Sequence, residues 1–549
     1  MSSVKLIEPT PSAYGYPLLI KHLLRTPLAH ASRQEIVYRE KRFDYTTLAR
    51  RIGQLANGLA TLGVGPGDTV GVLDWDSHRY LECYFAVPMM GAILHTVNVR
   101  LSAEQILYTI NHAQDDVLLV NTDFLPLLEE IRKDLKTVKK ILILTDTAAA
   151  PQAGPAIVGE YEALLEKSPP EYDFPDFDEN AKATTFYTTG TTGLPKGVCF
   201  SHRQLVLHTL SALAGISGFS SGNGLHSGDV YMPLTPMFHV HAWGLPYIAT
   251  LLGMKQVYPG RYIPENILGL ISREKVTFSH CVPTILHMLL NCPAASQTDL
   301  SKWKIIIGGS ALYKGLCQAA LDKGIDIFTG YGMSETCPIL TISTFKPHMK
   351  GLGPEEELEI RRRAGIPIPL VDLKVIDDQG RAQPHDGESI GEIVARAPWL
   401  TQGYPGEEKA SEELWHGGYL HTRDVGFIDE EGYLKITDRI KDVIKTGGEW
   451  ISSLQIEDIL TQHEGVSEAA AFGIPDEKWG ERPVAFVILK ENYREKVSED
   501  DIKNFFNESV AGGVVSKWAV PDRIVITETL PKTSVGKMNK RSLMKQCKQ

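Results

Sequence analysis

The chain has 549 residues, 43% of them hydrophobic and 22% charged, which is more than one hydrophobic core can organise, so at least two domains are expected. A formal net charge of −11 argues against a general nucleic-acid or anionic-membrane binder, because such proteins need long-range positive potential. The seven cysteines are scattered without CxxC pairs, which argues against a disulfide framework and a zinc site. We predict a cytoplasmic protein, since no secretory signal pattern opens the sequence and no apolar run is long enough to span a membrane.

Helical and strand patterns alternate through the first part of the chain. The sequence "YTTLARRIGQLANGLATLG" (residues 45–63) has a helical period, and it is followed by the short apolar runs "TVGVL" (69–73), "VLLV" (117–120) and "KILIL" (140–144). This alternation, with glycine punctuation, predicts parallel sheets covered by helices. The proline-rich and acidic segment 151–180 is interpreted as a surface connection.

The stretch "FYTTGTTGLPKGVCFSHRQ" (residues 186–204) concentrates glycines, hydroxyl groups and one lysine. A loop that wraps a polyphosphate needs inward N–H groups, hydroxyl donors and glycines where the chain passes close, so we predict a phosphate-binding loop, with an ordinary hairpin turn as the alternative. A Walker A loop is excluded, because Pro195 occupies the place of its second glycine and Gly197 follows the lysine. Ser201 and Gln204 form a capping-box pattern that predicts a helix start. The residues assigned to the phosphates are Thr188, Thr189, Gly190, Thr191, Thr192, Gly193 and Lys196.

Shorter units follow in the last hundred residues. The segments "IEDILTQHEG", "EAAAFGIPD", "RPVAFVILK", "IKNFFNESVAGG" and "DRIVITE" predict the order helix, strand, strand, helix, strand, which is typical of a small separate domain. The predicted fold class is α/β. A large N-terminal domain (1–437) of helix-covered β-sheet subdomains is joined by a hinge (438–443) to a small mobile C-terminal α+β domain (444–549).

Six motifs occur in one order along the chain. They are "YTTGTTGLPKGV", "GGSALYKG", "GYGMSET", "GYLHTRD", "ITDRIKDVIKTGGEWISS" and "PKTSVGKMNKRSL". In order and rough spacing they resemble the motifs of the acyl-adenylate-forming superfamily, which contains acyl-CoA synthetases, luciferases and nonribosomal peptide adenylation domains. The segment "MPLTPMFHVHAWGLPYIAT" (232–250) further resembles medium- and long-chain fatty acyl-CoA synthetases.

The resemblance implies a nucleotide site built from several motifs. It places the ring of Tyr331 against adenine, the hydroxyl of Ser334 near the α-phosphate, where threonine is commoner, and the carboxylate of Glu335 on Mg²⁺. Asp424 matches the ribose-binding aspartate, although Arg423 replaces the glycine that usually precedes it. Glu335 as a helix cap and Asp424 as a surface charge are the alternatives. The resemblance also assigns Gly309, Ser310, Ala311, Gly332 and Arg439 to ATP or AMP.

A catalytic lysine, Lys537, is implied by the match of "PKTSVGK" to the family's C-terminal motif, with Lys196 and Glu335 as further catalytic residues. When a carboxylate attacks the α-phosphorus two anions approach each other, and a cation between them relieves the repulsion. The same lysine would block a second substrate, so the resemblance implies rotation of the small domain about Lys441. A solvated basic tail is the alternative. The loop expected beside the CoA channel contains Gly447, Gly448, Glu449 and Trp450.

The acyl site is assigned to His239, His241, Trp243 and Gly332. The two histidines would share a face in an extended segment, but no further ligand cluster accompanies them, so we do not predict a metal pair. By resemblance, His239 lies at the carboxylate end of the acyl site and Trp243 gates a tunnel for the alkyl chain. A plain core tryptophan is the alternative.

The combined prediction is an ATP-dependent, AMP-forming carboxylic acid:CoA ligase that acts through an acyl-adenylate on medium- to long-chain fatty acids. The alternatives are a ligase of alicyclic, aromatic or sulfur-containing short-chain acids, run forwards or in reverse, and a non-catalytic nucleotide-binding protein on the same fold. Mg²⁺ is the expected cofactor, and ATP, CoA and a small carboxylic acid are the expected partners. We expect no nucleic acid and no transmembrane segment, and a homodimer is a further expectation.

Overall fold

The computed structural model describes residues 4–147, 156–188, 194–218, 224–349, 351–446, 449–533 and 537–547, with the backbone alone at 449 and 450. The first elements are α1 (Arg25–His30), β1 (Glu35–Tyr38), β2 (Lys41–Asp44) and α2 (Tyr45–Thr61). Helix α2 begins after Asp44, whose carboxylate accepts a hydrogen bond from the Thr47 N–H at 2.8 Å and caps the helix. The predicted helix over residues 45–63 is confirmed, and it ends two residues earlier.

The first large sheet is a mainly parallel layer covered by helices. Its region contains β3 (Thr69–Leu73), α3 (His78–Met89), β4 (Ile93–Thr96), α4 (Ala103–Ala113), β5 (Val117–Asn121), α5 (Leu125–Ile131), β6 (Lys140–Leu144), β7 (Ile157–Glu160), α6 (Tyr161–Lys167), β8 (Lys182–Thr188) and β9 (Lys196–Ser201). Within the described residues its seven strands lie in the order β7-β6-β5-β3-β4-β8-β9, and only β8 and β9 pair antiparallel. Strands β3 and β5 are buried throughout, as strands covered on both faces must be.

The segment over residues 151–180 is more structured than its composition suggested. It contributes the edge strand β7 and helix α6. Tyr161 of that helix is fully buried and donates a hydrogen bond to Glu82 at 2.5 Å. The interpretation of this segment as a surface connection is therefore wrong in part, because a seven-residue helix with two buried positions leaves little periodic signal.

The second large sheet forms the floor of the site described below. Its region contains α7 (His202–Gly218), β10 (Val230–Pro233), α8 (Leu245–Leu252), β11 (Lys255–Tyr258), α9 (Pro264–Glu274), β12 (Phe278–Cys281), α10 (Pro283–Leu290), β13 (Lys304–Ile307), α11 (Lys314–Leu321), β14 (Asp326–Gly332), β15 (Ile339–Ile342), α12 (Pro354–Arg362) and β16 (Ile366–Pro367). In the described ranges the sheet has the order β16-β15-β14-β13-β12-β10-β11-β1-β2. Helix α7 starts with the predicted capping box, since the N–H of Ser201 donates to Gln204 at 2.8 Å and the N–H of Gln204 donates back at 3.3 Å.

Two smaller sheets complete the chain. The first contains β17 (Asp372–Ile376), β18 (Gly391–Arg396), β19 (Trp415–His416), β20 (Tyr419–Ile428) and β21 (Leu434–Arg439), with α13 (Glu408–Leu414) beside it. The C-terminal unit contains β22 (Ile444–Thr446), β23 (Glu449–Ile451), α14 (Ser453–Gln462), β24 (Val466–Asp476), β25 (Gly480–Leu489), α15 (Glu499–Ala511), β26 (Arg523–Ile526) and α16 (Lys540–Cys547). The predicted order of helix, strand, strand, helix, strand is confirmed.

The C-terminal unit has its own apolar core. Ile456 and Leu460 of α14 pack with Val487 of β25 and Phe506 of α15. The α/β architecture with a large N-terminal part and a smaller α+β unit confirms the predicted fold class. Each of the seven cysteines carries a free thiol. In the part of the chain that the structure describes, no helix is both long and apolar enough to cross a membrane.

Candidate active site

A narrow cavity lies at the carboxyl edge of the nine-stranded sheet. Strands β12, β13 and β14 are parallel neighbours, so the loops that follow them meet at this edge, where α/β sheets commonly bind ligands. The polar side chains of its lining are His239, Tyr331, Ser334 and Lys537. The apolar ones are Trp243, Leu245, Val282, Ile306, Ile339 and Ile342. Such a lining suits a molecule that has both a charged and a hydrophobic part.

Three predicted nucleotide-binding residues are in contact beside this cavity. The hydroxyl of Tyr331 donates to one carboxylate oxygen of Asp424 at 2.8 Å, and the Arg439 Nε lies 3.3 Å from the other oxygen. Asp424 and Arg439 are cross-strand partners on β20 and β21. Asp424 is therefore a buried carboxylate with a fixed orientation, and the alternative of an exposed surface charge does not hold.

Arg423 has a left-handed backbone with φ of 61°, the region that favours the glycine of the commoner motif. Its N–H donates to Glu392 at 3.1 Å, and its guanidinium donates to the Glu413 carbonyl at 3.2 Å. These contacts retain the turn before Asp424 without glycine.

Glu335 is buried and lies close to a residue that the sequence motifs did not include. The hydroxyl of Tyr404 donates to Glu335 Oε1 at 2.7 Å, and the ammonium of Lys196 lies 4.8 Å from the Tyr404 ring centre. Burial raises the pKa of Glu335, and the hydrogen bond from Tyr404 only partly offsets this. The site thus contains a carboxylate whose charge is incompletely balanced, a condition that favours a cation nearby.

At two glycines near the cavity a side chain would crowd or collide with neighbouring atoms. Gly309 has φ of +80°, and a β-carbon there would lie 3.1 Å from Val282 and 3.3 Å from Cε of Lys537. A β-carbon at Gly332 would lie 1.7 Å from the Pro338 carbonyl oxygen, which no L-residue can accommodate. Glycine is therefore required at 332 by its packing against backbone.

Lys537 reaches the cavity from the C-terminal unit. Its N–H donates to the Thr533 hydroxyl at 3.1 Å, and its carbonyl accepts from the Thr533 N–H at 2.7 Å. Burial lowers the pKa of Lys537 to about 8, and Arg439 adds to this effect. Burial lowers the pKa of His239 to about 3, and the positive charge of Lys537 contributes in the same direction. The imidazole is therefore neutral near pH 7.

The segment that carries His239 and Trp243 has an unusual backbone. Residues Val240, His241, Ala242 and Trp243 all have positive φ, between 41° and 58°, and Gly244 follows at 75°. This conformation costs about 1–2 kcal/mol per non-glycine residue, so it persists only where neighbouring contacts impose it.

The residues just before this stretch are anchored by the first large sheet and its neighbouring helix and loop. The Met237 N–H donates to Asp76 at 2.8 Å, and the Thr96 hydroxyl donates to the Phe238 carbonyl at 2.9 Å. The hydroxyl of Tyr84 also donates to the Met237 carbonyl. The segment that carries His239 and Trp243 is thus held at the seam between the two large sheets.

The two histidines do not share a face, because the segment is not extended. His239 lines the cavity, whereas His241 lies among the rings of Tyr84, Phe186 and Phe200. Neither ring nitrogen of His241 has a hydrogen-bond partner among the described residues, and burial lowers its pKa to about 3. The extended conformation in which the two side chains would share a face is therefore not adopted here.

The remaining predicted residues fall in several places. Thr188 ends β8, and residues 189–193 and 447–448 lie outside the described residues. Ser310 and Ala311 are exposed in the loop after β13. Glu449 and Trp450 belong to β23 by their backbone, and Lys441 lies in the turn between β21 and β22.

Sequence reasoning missed Tyr404 and the contacts of α14. Tyr404 lies in "TQGYPG", where an aromatic residue between glycines was the available signal. Asp458 of α14 forms an ion pair with Arg362 at 2.7 Å, and Glu457 accepts from Tyr313 at 2.8 Å. Isolated acidic residues on a helix carry no signal for such distant partners.

The chain belongs to the AMP-binding enzyme family. The model of the AMP-binding enzyme matches residues 24–405, and the model of the AMP-binding enzyme C-terminal domain matches residues 455–537. The resemblance to acyl-adenylate-forming enzymes that the motifs suggested is thereby confirmed.

Two characterised relatives align over nearly the whole chain. A long-chain-fatty-acid–CoA ligase of Thermus thermophilus is 42% identical, with 94% of this chain and 93% of that protein covered. A 3-methylmercaptopropionyl-CoA ligase of Ruegeria lacuscaerulensis is 37% identical, with 96% and 97% covered. The predicted enzyme class, an AMP-forming acyl-CoA synthetase that uses ATP and CoA, is confirmed by these relatives.

A solved structure shares the whole fold. The crystal structure of the anthranilate CoA ligase AuaEII in complex with anthranoyl-AMP has a TM-score of 0.84 and 26% sequence identity, and the alignment covers 97% of this chain and 98% of that chain.

Proposed function

We propose that the chain ligates a medium- to long-chain fatty acid to CoA in two steps. In the first, a carboxylate oxygen attacks the α-phosphorus of ATP, and the bond from that phosphorus to the bridging oxygen breaks to release pyrophosphate. In the second, the CoA thiolate attacks the acyl carbon, and the carbon–oxygen bond breaks to release AMP. Each step has a good leaving group, so no cysteine nucleophile of the protein is needed.

The main support for this proposal is that Lys537 lines the cavity. A cation from the C-terminal unit lines the cavity together with Tyr331, which is hydrogen-bonded to Asp424, the partner of Arg439. Lys537 would lie between the acid and the α-phosphate, where two anions meet, and would lower the barrier electrostatically. This arrangement argues against a non-catalytic nucleotide-binding protein, which would not need a lysine there.

Glu335 fits the role of a Mg²⁺ ligand. Its buried, incompletely balanced carboxylate offers a hard oxygen donor of the kind that Mg²⁺ prefers, with triphosphate oxygens and water filling the other positions. When bound, Mg²⁺ would neutralise charge on the phosphates. Lys196, the first residue of β9 and close to Tyr404, would hold the same phosphates.

The apolar side chains that line the cavity support an acid with an alkyl chain. Trp243 contacts Gly308, whose β-carbon would lie only 3.0 Å from its ring, and the indole also packs against His280. We propose that Trp243 closes the tunnel and moves aside for longer chains. The relative that uses 3-methylmercaptopropionate favours a second candidate, a sulfur-containing short-chain acid, which would bind without that movement.

The second step requires removal of Lys537 from the cavity. We propose that the C-terminal unit rotates about residues 438–443, with Lys441 as the pivot, and that residues 447–450 then approach the pantetheine channel. The domain boundaries at 437 and 444 belong to this proposal. The homodimer and the cytoplasmic location stay predictions.

A panel of acids tests the function. Purified protein with ATP, Mg²⁺ and CoA is given acids from acetate through palmitate, 3-methylmercaptopropionate, and alicyclic and aromatic acids, and pyrophosphate and AMP are measured. We expect the highest kcat/KM between about eight and sixteen carbons, because each buried methylene contributes about 0.8 kcal/mol. Maximal activity on the sulfur acid would select the second candidate, and release of neither product with any acid would refute the ligase.

A further inference from the structure

Lys540 is a second largely enclosed lysine, three residues beyond Lys537, with 10% of its side chain exposed. Its ammonium lies 2.7 Å from Glu457 and donates to the Ser453 hydroxyl at 2.5 Å, and both partners belong to α14. Burial opposes the charge, yet Glu457 and Asp438 together raise the pKa of Lys540. The residue is therefore a cation at neutral pH, and it connects the segment of Lys537 to α14.

Asp438 connects α14 to the part of the site that contains Asp424 and Arg439. Its Oδ2 accepts from both the N–H and the hydroxyl of Ser453, each at 2.6 Å. Side chains alternate along a strand, so at the end of β21 Asp438 faces α14 while Arg439 faces Asp424. One strand end thus joins the residues proposed to bind ribose to the helix that contacts Lys540.

Further contacts join α14 to the N-terminal part. Glu457 accepts from the Tyr313 hydroxyl at 2.8 Å with the carboxylate oxygen that Lys540 does not approach. Asp458 pairs with Arg362 at 2.7 Å and accepts from the Lys314 N–H at 3.0 Å. All of these partners precede the proposed hinge in the chain, whereas α14 and Lys540 follow it.

We propose that Asp438 and Tyr313 on one side of the hinge, and Ser453 and Glu457 on the other, form a latch that positions Lys537 in the cavity and must break before the reaction with CoA. Lys540 moves with α14 and holds Ser453 and Glu457 in the positions that the latch needs. The inference rests on the proposed function, because it assumes rotation at residues 438–443. Such a rotation separates Asp438 from Ser453 and Tyr313 from Glu457. A contact made in one orientation only shifts the balance between orientations by its own free energy.

The latch residues are positioning residues. If they were only structural, their substitution would have a different effect on the two half-reactions. A merely structural lysine would affect adenylation and thioesterification alike, through loss of folded protein. A latch affects them in opposite directions, because it stabilises the orientation for the first step only. The ratio of the two half-reaction rates is therefore the decisive quantity.

The test compares Lys540→Met and Lys540→Arg with Lys545→Met, an exposed lysine on the same helix. Adenylation is measured by ATP–pyrophosphate exchange, and thioesterification by single turnover of preformed decanoyl-adenylate with CoA. We expect Lys540→Met to slow adenylation about tenfold or more and to leave the second step as fast or faster, which corresponds to about 1.4 kcal/mol. Lys540→Arg should restore much of the loss, and Lys545→Met should match the unaltered protein. Equal losses in both steps, or none in the first, would overturn the latch.

Tyr313→Phe provides a milder variant if Lys540→Met does not fold. It removes one hydrogen bond to Glu457 from the N-terminal side and should shift the ratio in the same direction by about two- to fivefold, as one hydrogen bond contributes about 1 kcal/mol or less. An unchanged ratio in this variant would contradict the proposal.

Limited trypsin digestion distinguishes failure of the latch from failure of the proposed function. Lys441 lies in the turn between β21 and β22, so loss of the latch should speed cleavage there several-fold in Lys540→Met but not in Lys545→Met. This readout needs no substrate. If the unaltered protein forms no adenylate, the ligase proposal fails, while an unchanged cleavage rate refutes the latch by itself.

Discussion

The two sides of the cavity are built by different forces. The side that carries His239 and Trp243 is buried at the seam of the two large sheets, where Val240, Ala242 and Trp243 belong to the main apolar core. The side that carries Lys537 is held against the N-terminal part by polar contacts, among them the Arg362–Asp458 ion pair and the hydrogen bond from Tyr313 to Glu457. Apolar packing resists separation, whereas polar contacts can be exchanged for water at small net cost. This difference suits a site in which the side with His239 and Trp243 stays fixed while the side with Lys537 moves away between the two steps.

The largest effect is expected on the movable side. Lys537→Ala should lower the adenylation rate by about 10²–10³-fold, because a cation placed at the transition state is lost from a partly desolvated site. The reaction of preformed acyl-adenylate with CoA should change less than about threefold, since Lys537 is absent from that step. Both half-reactions are measured with the preferred acid of the panel. Equal loss in the two would contradict the distinction between fixed and movable sides.

A fixed-side residue should behave differently. Asp424→Asn keeps the shape but weakens hydrogen bonds that involve its charge, so kcat/KM for ATP should fall about 10–100-fold. Because the ribose stays in the fixed site, turnover of added acyl-adenylate should weaken as well, through a higher KM for the adenylate. Steady-state kinetics of each half-reaction check this, with Thr422→Val as a control that alters a neighbouring hydrogen bond of the same turn. A purely adenylation-specific loss would place Asp424 with the movable side.

The next largest effect is a fall of about tenfold in the adenylation rate as the pH rises, which tests the movable side further. The cation of Lys537 is the active form, so with a pKa of about 8 the rate is complete below that pH and declines above it as the ammonium loses its proton. We expect kcat/KM for the acid at pH 9 to be about one tenth of its value at pH 7. Lys537→Arg should remove the decline, since arginine stays charged. A decline that persists in that variant would assign it to another group.

Local features of the fold could be predicted from the sequence, whereas the site depends on distant contacts. The strand over 69–73 and the capping box of α7 follow from apolar runs and from neighbours three residues apart. The left-handed course of 240–244 carries no such signal, because valine and tryptophan seldom adopt it and tertiary contacts impose it. Lys540 and Ser453 are 87 residues apart, a separation at which no local pattern operates.

The motifs gave the types of side chain at the site but not their contacts. Tyr331, Asp424 and Arg439 were each predicted singly, and only the fold brings them within hydrogen-bonding distance. Tyr404 was missed because its link to Glu335 depends on a loop that packs back from the third sheet region. His239 and His241, considered on one face of an extended segment, have different surroundings because the backbone at 240–243 is left-handed.

The smallest effect is expected at Arg423, on the fixed side. Arg423→Gly relieves a left-handed backbone by about 1 kcal/mol but loses the bond to the Glu413 carbonyl and gives the unfolded chain more freedom. The net change in the free energy of unfolding should stay within about 1 kcal/mol. Arg423→Ala retains the unfavourable β-carbon and loses the same bond, so it should be the less stable of the two by about 1 kcal/mol. Chemical denaturation of both variants measures the difference. Neither should alter the ratio of the half-reactions, because a turn that belongs to the fixed side serves both steps alike, and a changed ratio would show that this turn takes part in the movement.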